Sequence, residues 1–263
     1  MYQLVSIDAD KNIALKSVKY LFLFPSAFIL SGIFSESLFI LLLILCFYCG
    51  KREKWALVGL FGFCLSMTRP LGVFVFIPLA MEYMRVRNYQ IQKIRPNIFF
   101  LLLIPVGLCS FFLYCYFRSG NFWAFIIAKQ TGWYISLQNP LAIVGQGLAL
   151  NLSEIGSSSI EISQKFNSVF LVIYTFIFLL HGKKIYSSYF ILGLVCILLP
   201  LSTGGFLVML GMQRFLLVIF PFFIILGKLS SKYSYADQTL TLFLCLMQGF
   251  LMALWVCGFH LVI

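Results

Sequence analysis

The sequence predicts an all-α protein, a polytopic membrane helical bundle with about nine membrane-embedded helices. The chain of 263 residues is 62% hydrophobic and only 10% charged, whereas soluble domains carry about 25% charged residues. Nine apolar runs alternate with short polar stretches. Most lysines and arginines lie in clusters in every second connection, which is the positive-inside pattern. The net charge of +11 therefore indicates membrane topology and not nucleic-acid binding.

The basic clusters set the predicted topology. The apolar runs are 20–34, 36–50, 55–68, 70–84, 98–117, 166–180, 185–202, 206–227 and 240–263. Basic clusters precede the first run and follow the second, fourth, sixth and eighth runs, so we expect these connections in the cytoplasm. The whole chain, 1–263, is then one transmembrane domain. Its longest polar stretch, 118–165, becomes an extracytoplasmic loop, in which the apolar piece 141–150 predicts an interfacial helix.

The first four runs predict two hairpins of short helices. Each run has about 15 residues and would be roughly 22 Å long as a helix, less than the hydrocarbon core of about 30 Å. Glu36 and Arg69 lie at the two turns, and apolar sequence surrounds both. Charged groups at such positions indicate a functional site. We expect both turns to face one recessed extracytoplasmic cavity; the alternative is one long, kinked helix for each pair of runs.

Catalytic motifs such as the P-loop and H-E-x-x-H are absent from the sequence. What remains is a mainly basic set of polar residues on the predicted extracytoplasmic side. Arginine presents a planar fork to phosphate oxygens, and a neighbouring tryptophan suits a sugar or an isoprenoid. The candidate substrate-binding residues are Glu36, Arg69, Arg214, Gln130 and Trp133. No catalytic residue and no metal ligand is assigned.

Each candidate also has a plainer interpretation. Glu36 could simply pair with Arg69 or cap a helix that starts after Ser35. Arg214 could extend to the membrane surface. Trp133 could be an interfacial anchor, and Lys129 could be solvated.

Three blocks of the sequence resemble one known family. Phe24-Pro25-Ser26-Ala27-Phe28, followed by Phe34-Ser35-Glu36-Ser37-Leu38-Phe39, is similar to an early block of the PIG-V family, which comprises GPI mannosyltransferase 2 and its bacterial relatives. Thr68-Arg69-Pro70-Leu71-Gly72 resembles the family's next step. Met212-Gln213-Arg214-Phe215, with Val218-Ile219-Phe220-Pro221, resembles its late block.

The resemblance implies a GT-C type membrane glycosyltransferase. Such enzymes transfer a sugar, usually mannose, from a polyprenyl-phosphate donor on the extracytoplasmic face, and a carboxylate in the first outside loop usually acts as base. That loop has no counterpart here. The resemblance implies either that the chain is the C-terminal two-thirds of a larger module, with the catalytic Asp upstream of Met1, or that the missing part is supplied elsewhere.

The remaining expectations follow from these two lines of inference. The resemblance implies that no cofactor is needed, and it does not exclude a divalent metal ion. The partners that it implies are membrane lipid and the polyprenyl-phosphate sugar donor. We expect a multi-pass protein of the bacterial inner membrane, or of the endoplasmic reticulum if eukaryotic. The alternatives are a non-enzymatic lipid-linked-sugar flippase or transporter, and an inactive fragment.

Overall fold

A computed structural model describes residues 1–133, 136–150, 159–203 and 206–259. Every regular element in these ranges is helical, so the protein is all-α as predicted. The α-helices are α1 (Tyr2–Val5), α2 (Lys11–Leu23), α3 (Glu36–Lys51), α4 (Trp55–Thr68), α5 (Phe76–Val86), α6 (Leu103–Ser119), α7 (Ala124–Trp133), α8 (Pro140–Ala149), α9 (Ser159–His181), α10 (Ser187–Thr203), α11 (Met212–Leu217), α12 (Phe220–Ser230) and α13 (Ser234–Val256). Short 3₁₀ helices cover Ala27–Ser31, Pro70–Val75, Ile91–Lys93, Pro96–Leu102, Gly182–Lys184 and Phe206–Gly211.

The second and third predicted runs form the short helices α3 and α4, as the sequence indicates, and the fourth begins as a 3₁₀ helix and continues as α5. The first run, 20–34, does not form one helix, because α2 ends at Leu23 and a separate 3₁₀ helix follows. α3 has 16 residues, which at 1.5 Å per residue gives about 24 Å. The chain breaks where prolines require it. Proline disfavours the helical conformation in the residue before it, and Arg69 is accordingly extended, with φ −150° and ψ 137°. The 3₁₀ helix after Pro70 then folds back so closely that a Cβ on Gly72 would lie 2.6 Å from the Leu65 carbonyl oxygen.

The helix pairing differs from the two predicted hairpins. α3 packs most closely with α4, which follows it across a tight turn at Arg52, and α2 packs mainly with α12. α4 also packs closely on α6, because glycine lets the two backbones approach. A Cβ on Gly107 would lie only 2.3 Å from the Phe63 carbonyl oxygen. The turns at Glu36 and Arg69 were predicted correctly, but the helices joined by each turn find their main partners elsewhere.

Three helices in the described part of the chain are long and apolar enough to cross a membrane: Pro96–Ser119, Ile160–Lys184 and Tyr235–Val256. A fourth crossing exists if Val208–Leu217 and Phe220–Ser230, which meet at 62°, form one span. These helices support a membrane protein. Nine embedded helices remain a prediction.

The predicted run 206–227 is broken, which the sequence analysis did not anticipate. α11 ends at Leu217 and α12 begins at Phe220. Pro221 accounts for the break, since its ring would clash with the carbonyl of residue 217, four positions earlier in a continuous helix.

The predicted cytoplasmic basic clusters gather at one end of the bundle. Asp237, in the first turn of α13, pairs with Lys19 at 2.5 Å and Lys16 at 3.5 Å on α2, and Tyr20 also donates to it. At the same end Lys51 pairs with Asp8. The clusters are distant in sequence, so their meeting agrees with one basic membrane face.

Cysteine labelling tests this arrangement. In a variant without the native cysteines, Ile33→Cys, at a fully exposed position beside the Glu36 turn, should react with an impermeant thiol reagent from the extracytoplasmic side. Lys54→Cys, at an exposed position in the turn between α3 and α4, should react only from the cytoplasmic side. Labelling of both positions from the same side of sealed membranes would contradict the topology.

Candidate functional site

Glu36 is positioned by the start of α3. The segment between α2 and α3 contains only the short 3₁₀ helix Ala27–Ser31 and ends at Ser35, so that Glu36 is the first residue of α3. A carboxylate is favourable at a helix N-terminus because the backbone dipole is positive there. The side chain is nevertheless fully buried, with 0% exposure. Such a charge requires partners, since burying an unpaired carboxylate is strongly unfavourable.

Arg69 supplies the first partner, as the sequence predicts. One of its terminal nitrogens, Nη2, lies 2.5 Å from Glu36 Oε1. Its Nε donates a hydrogen bond to Ser35 Oγ at 2.8 Å. The extended backbone that Pro70 imposes directs the arginine away from the end of α4 toward the turn before α3. The two charged turns predicted from the sequence therefore meet.

Arg214 supplies the second partner. It lies on α11, and its Nε donates to the same Glu36 Oε1 at 2.5 Å. The guanidinium also lies 4.8 Å from the centre of the Phe34 ring, within the range of a cation–π interaction. The side chain is 22% exposed, so Arg214 is partly buried. We call Glu36, Arg69 and Arg214 the Glu36 cluster.

The Glu36 cluster leaves both charge and hydrogen-bonding capacity unused. Two guanidinium groups share one carboxylate, so the three side chains carry a net charge of +1. Arg69 Nη1 and Glu36 Oε2 are buried without a hydrogen-bond partner, although native structures usually satisfy such atoms. Because Arg69 and Arg214 are 17% and 22% exposed, a ligand can reach them. The arrangement is suited to an anion with several oxygen acceptors.

α7 brings a third cation close to the cluster. Loss of hydration lowers the pKa of the Lys129 amine, and the nearby positive charge of Arg69 lowers it further. Lys129 as a residue is exposed, but the groups around its amine remove part of the hydration that the sequence led us to expect. The effect of the Arg69 charge on this pKa indicates that the Lys129 amine lies within electrostatic range of Arg69. With Lys129 the local charge rises to +2.

The other two candidates also lie on α7. Gln130 is exposed and follows Lys129 directly. Trp133 is the last residue of α7, but its side chain lies outside what the structure describes. Arg118 is exposed at the end of α6. The structure therefore brings together Glu36, Arg69 and Arg214, while binding by Gln130 and Trp133 remains a prediction.

A buried polar row on α9 was missed by the sequence analysis. Gln213, beside Arg214, donates through Nε2 to Asn167 Oδ1 at 2.7 Å, and Ser26 Oγ donates to the Gln213 carbonyl oxygen at 3.2 Å. Gln164 is fully buried, and neither atom of its amide has a hydrogen-bond partner. Gln164, Asn167 and Ser168 have the i, i+3, i+4 spacing of one helix face. That signal was overlooked because the run was predicted to begin at residue 166, whereas α9 begins at Ser159.

Within the described ranges, no group of three or more His, Cys, Asp or Glu side chains is placed to hold a metal ion.

Comparison of the chain with models of known protein families, with curated proteins and with solved structures finds no match.

Glu36→Gln tests whether the carboxylate holds the cluster together. The substitution leaves two largely buried guanidinium groups without their anion, so the free energy of unfolding should fall by about 3 kcal/mol. Glu53→Gln is the control: Glu53 is 53% exposed, and its buried partner Arg87, 3.3 Å away, keeps its hydrogen bonds to the Lys93 and Tyr83 carbonyl oxygens. Its loss should therefore stay below about 1 kcal/mol. Denaturant unfolding in mixed micelles measures both. Equal losses for the two variants would contradict a special role for Glu36.

Proposed function

We propose that the protein is a GT-C type glycosyltransferase, with about nine membrane-embedded helices. It would transfer a sugar, usually mannose in the family that the sequence resembles, from a polyprenyl-phosphate donor to an acceptor on the extracytoplasmic face. One observation carries the proposal: the three sequence blocks that resemble the PIG-V family converge on the Glu36 cluster.

The convergence involves direct contacts between all three blocks. Glu36 belongs to the first block, Arg69 to the second and Arg214 to the third, and one carboxylate oxygen accepts from both arginines. Ser26 of the first block also bonds to Gln213 of the third. Residues 36 and 214 are 178 positions apart, so their meeting is not a consequence of local sequence. This convergence supports reading the blocks as parts of one site.

The charge of the cluster supports a phosphate-bearing ligand. Arg69 and Arg214 would bind the donor phosphate, since the guanidinium fork matches phosphate oxygens, and Lys129 would add to the attraction. Glu36 would orient the two arginines or contact the acceptor. Gln130 and Trp133 would contact the sugar or the isoprenoid from α7.

The reaction would be a displacement at the anomeric carbon. The acceptor hydroxyl oxygen forms the new bond to that carbon, the bond from the carbon to the phosphate oxygen breaks, and polyprenyl phosphate leaves with the electron pair. The acceptor proton passes to a base. The two arginines would stabilise the negative charge that develops on the leaving phosphate. We assign no residue as the base.

A lipid-linked-sugar flippase or transporter is the second candidate. It is favoured by the 62° bend between α11 and α12, because transporters often bind substrates at interrupted helices. Both functions require the same binding of a lipid phosphate. They differ in whether the sugar leaves its lipid.

Charge-preserving substitutions test the site. Arg69→Lys and Arg214→Lys keep the positive charge but lose the planar fork, so transfer should fall at least about tenfold in each. Arg118→Lys is the matched control, because Arg118 is exposed and lies in the predicted extracytoplasmic loop. This variant should transfer the sugar normally. The measurement uses radiolabelled polyprenyl-phosphate mannose and membranes of cells that express the chain, and follows label that leaves the donor.

Donor binding to the purified variants is measured in parallel. Undiminished transfer by both Arg69→Lys and Arg214→Lys would overturn the site. Donor binding that weakens in these variants, together with movement of the intact donor across proteoliposome membranes and no loss of its sugar, would favour the transporter.

A further inference from the structure

A second polar site lies at the end of the bundle opposite the Glu36 cluster. A cavity of about 300 Å³ lies between the N-terminal segment, the connection from α9 to α10, and α12. This volume lies at the lower end of the range found for ligand-binding pockets in proteins. Its apolar wall consists of Val5, Ala9, Ile185 and Ile224, and its polar lining consists of Asp8, Lys183, Lys184, Tyr186, Tyr189 and Lys228. We call it the lysine cavity.

The lysine cavity carries an excess of positive charge. Lys183, Lys184 and Lys228 line it, and the Lys228 amine is held near them by its hydrogen bond to the Lys184 carbonyl oxygen at 2.7 Å. The one carboxylate of the lining, Asp8, is already paired with Lys51, whose side chain is only 2% exposed. The pair contributes no net charge, so the three lysines leave the cavity at +3.

Tyr189 gives the independent indication of a ligand. Its side chain lines the cavity and is only 3% exposed. Its ring is fixed by edge-on contacts with Phe47 and Phe220, with centroids 5.3 Å and 5.2 Å away. The hydroxyl nevertheless has no hydrogen-bond partner, which is unfavourable for a buried polar group. A fixed donor without an acceptor, in a cavity that three lysines also line, is suited to an anion.

The position of the cavity favours an anionic ligand further. Tyr189 lies in the first turn of α10, which begins at Ser187 and has 17 residues. Helix N-termini attract anions through their free N–H groups and the helix dipole. The end of the bundle is also the one where the basic clusters meet, and this end would face the anionic cytoplasmic leaflet.

We propose that the lysine cavity binds a phosphate group, with Tyr189 Oη donating a hydrogen bond to a phosphate oxygen and the three lysines neutralising its charge. The phosphate belongs to the headgroup of an anionic membrane lipid or to a soluble phosphate. Val5 and Ile224 would pack against the glycerol and upper acyl chain of a lipid. The site is separate from the proposed donor site, and its occupancy does not depend on transferase activity.

Binding to the purified full chain in non-ionic detergent tests the proposal. Native mass spectrometry and thermal shift would compare dioctanoyl phosphatidic acid, dioctanoylglycerol and inorganic phosphate. We expect one phosphatidic acid per chain, and no comparable binding of dioctanoylglycerol, which lacks the phosphate. If inorganic phosphate binds as tightly as phosphatidic acid, the phosphate site stands and its source is soluble. If neither phosphate compound binds, the proposal is overturned.

Three variants identify the residues. Lys183→Gln/Lys184→Gln should weaken phosphatidic acid binding at least about tenfold, because hydrogen bonds between charged groups are the strong ones. Tyr189→Phe keeps the packed ring and should weaken binding severalfold. Lys11→Gln/Lys232→Gln makes the same charge change at exposed positions outside the cavity and should bind normally.

Two results would contradict this assignment. Wild-type affinity in both the Tyr189→Phe and the Lys183→Gln/Lys184→Gln variants would show that the cavity is not the site. An equal loss in the Lys11→Gln/Lys232→Gln control would show that general surface charge accounts for the binding.

Discussion

The shared ion pair of Glu36 is the interaction on which the arrangement of the chain depends. A fully buried carboxylate is tolerated only if its partners are precisely placed. Both partners are arginines from distant segments, and each is positioned by a proline: Pro70 sets the extended backbone of Arg69, and Pro221 ends the short helix that carries Arg214. The pair thus joins α3, α4 and α11 at one end of the bundle. It also concentrates more positive than negative charge there.

Polar chemistry is concentrated at the two ends of an otherwise apolar bundle. At one end the Glu36 cluster has an excess guanidinium. At the other end Asp237 and Asp8 pair with lysines, and the hydroxyl of Tyr189, which lines the lysine cavity, has no hydrogen-bond partner. Between these ends the core is built from aromatic and aliphatic side chains such as Phe24 and Phe223, whose ring centroids are 5.4 Å apart. Two anion-selective sites on opposite faces of one membrane protein would therefore be structurally independent.

The sequence predicted the helical class and the meeting of Glu36 with Arg69, because charges and prolines in apolar runs are rare and local signals. It did not predict that Arg214 shares the same carboxylate oxygen, since that contact depends on how α11 packs against α3. The pairing of α3 with α4 was missed for a similar reason: the neighbour that a short apolar helix packs against depends on tertiary packing. The unsatisfied hydroxyl of Tyr189 was also invisible, because an apolar helix gives no sign of which buried polar atom lacks a partner.

The most direct test of the central claim is a double-mutant cycle on Glu36 with each arginine. The free energy of unfolding is measured in mixed micelles for Glu36→Gln, Arg69→Gln, Arg214→Gln and the two double variants that contain Glu36→Gln. If one carboxylate holds both arginines, each cycle should give a coupling energy of about 1–3 kcal/mol. Additive effects within about 0.5 kcal/mol in both cycles would contradict the claim that Glu36 joins the three segments.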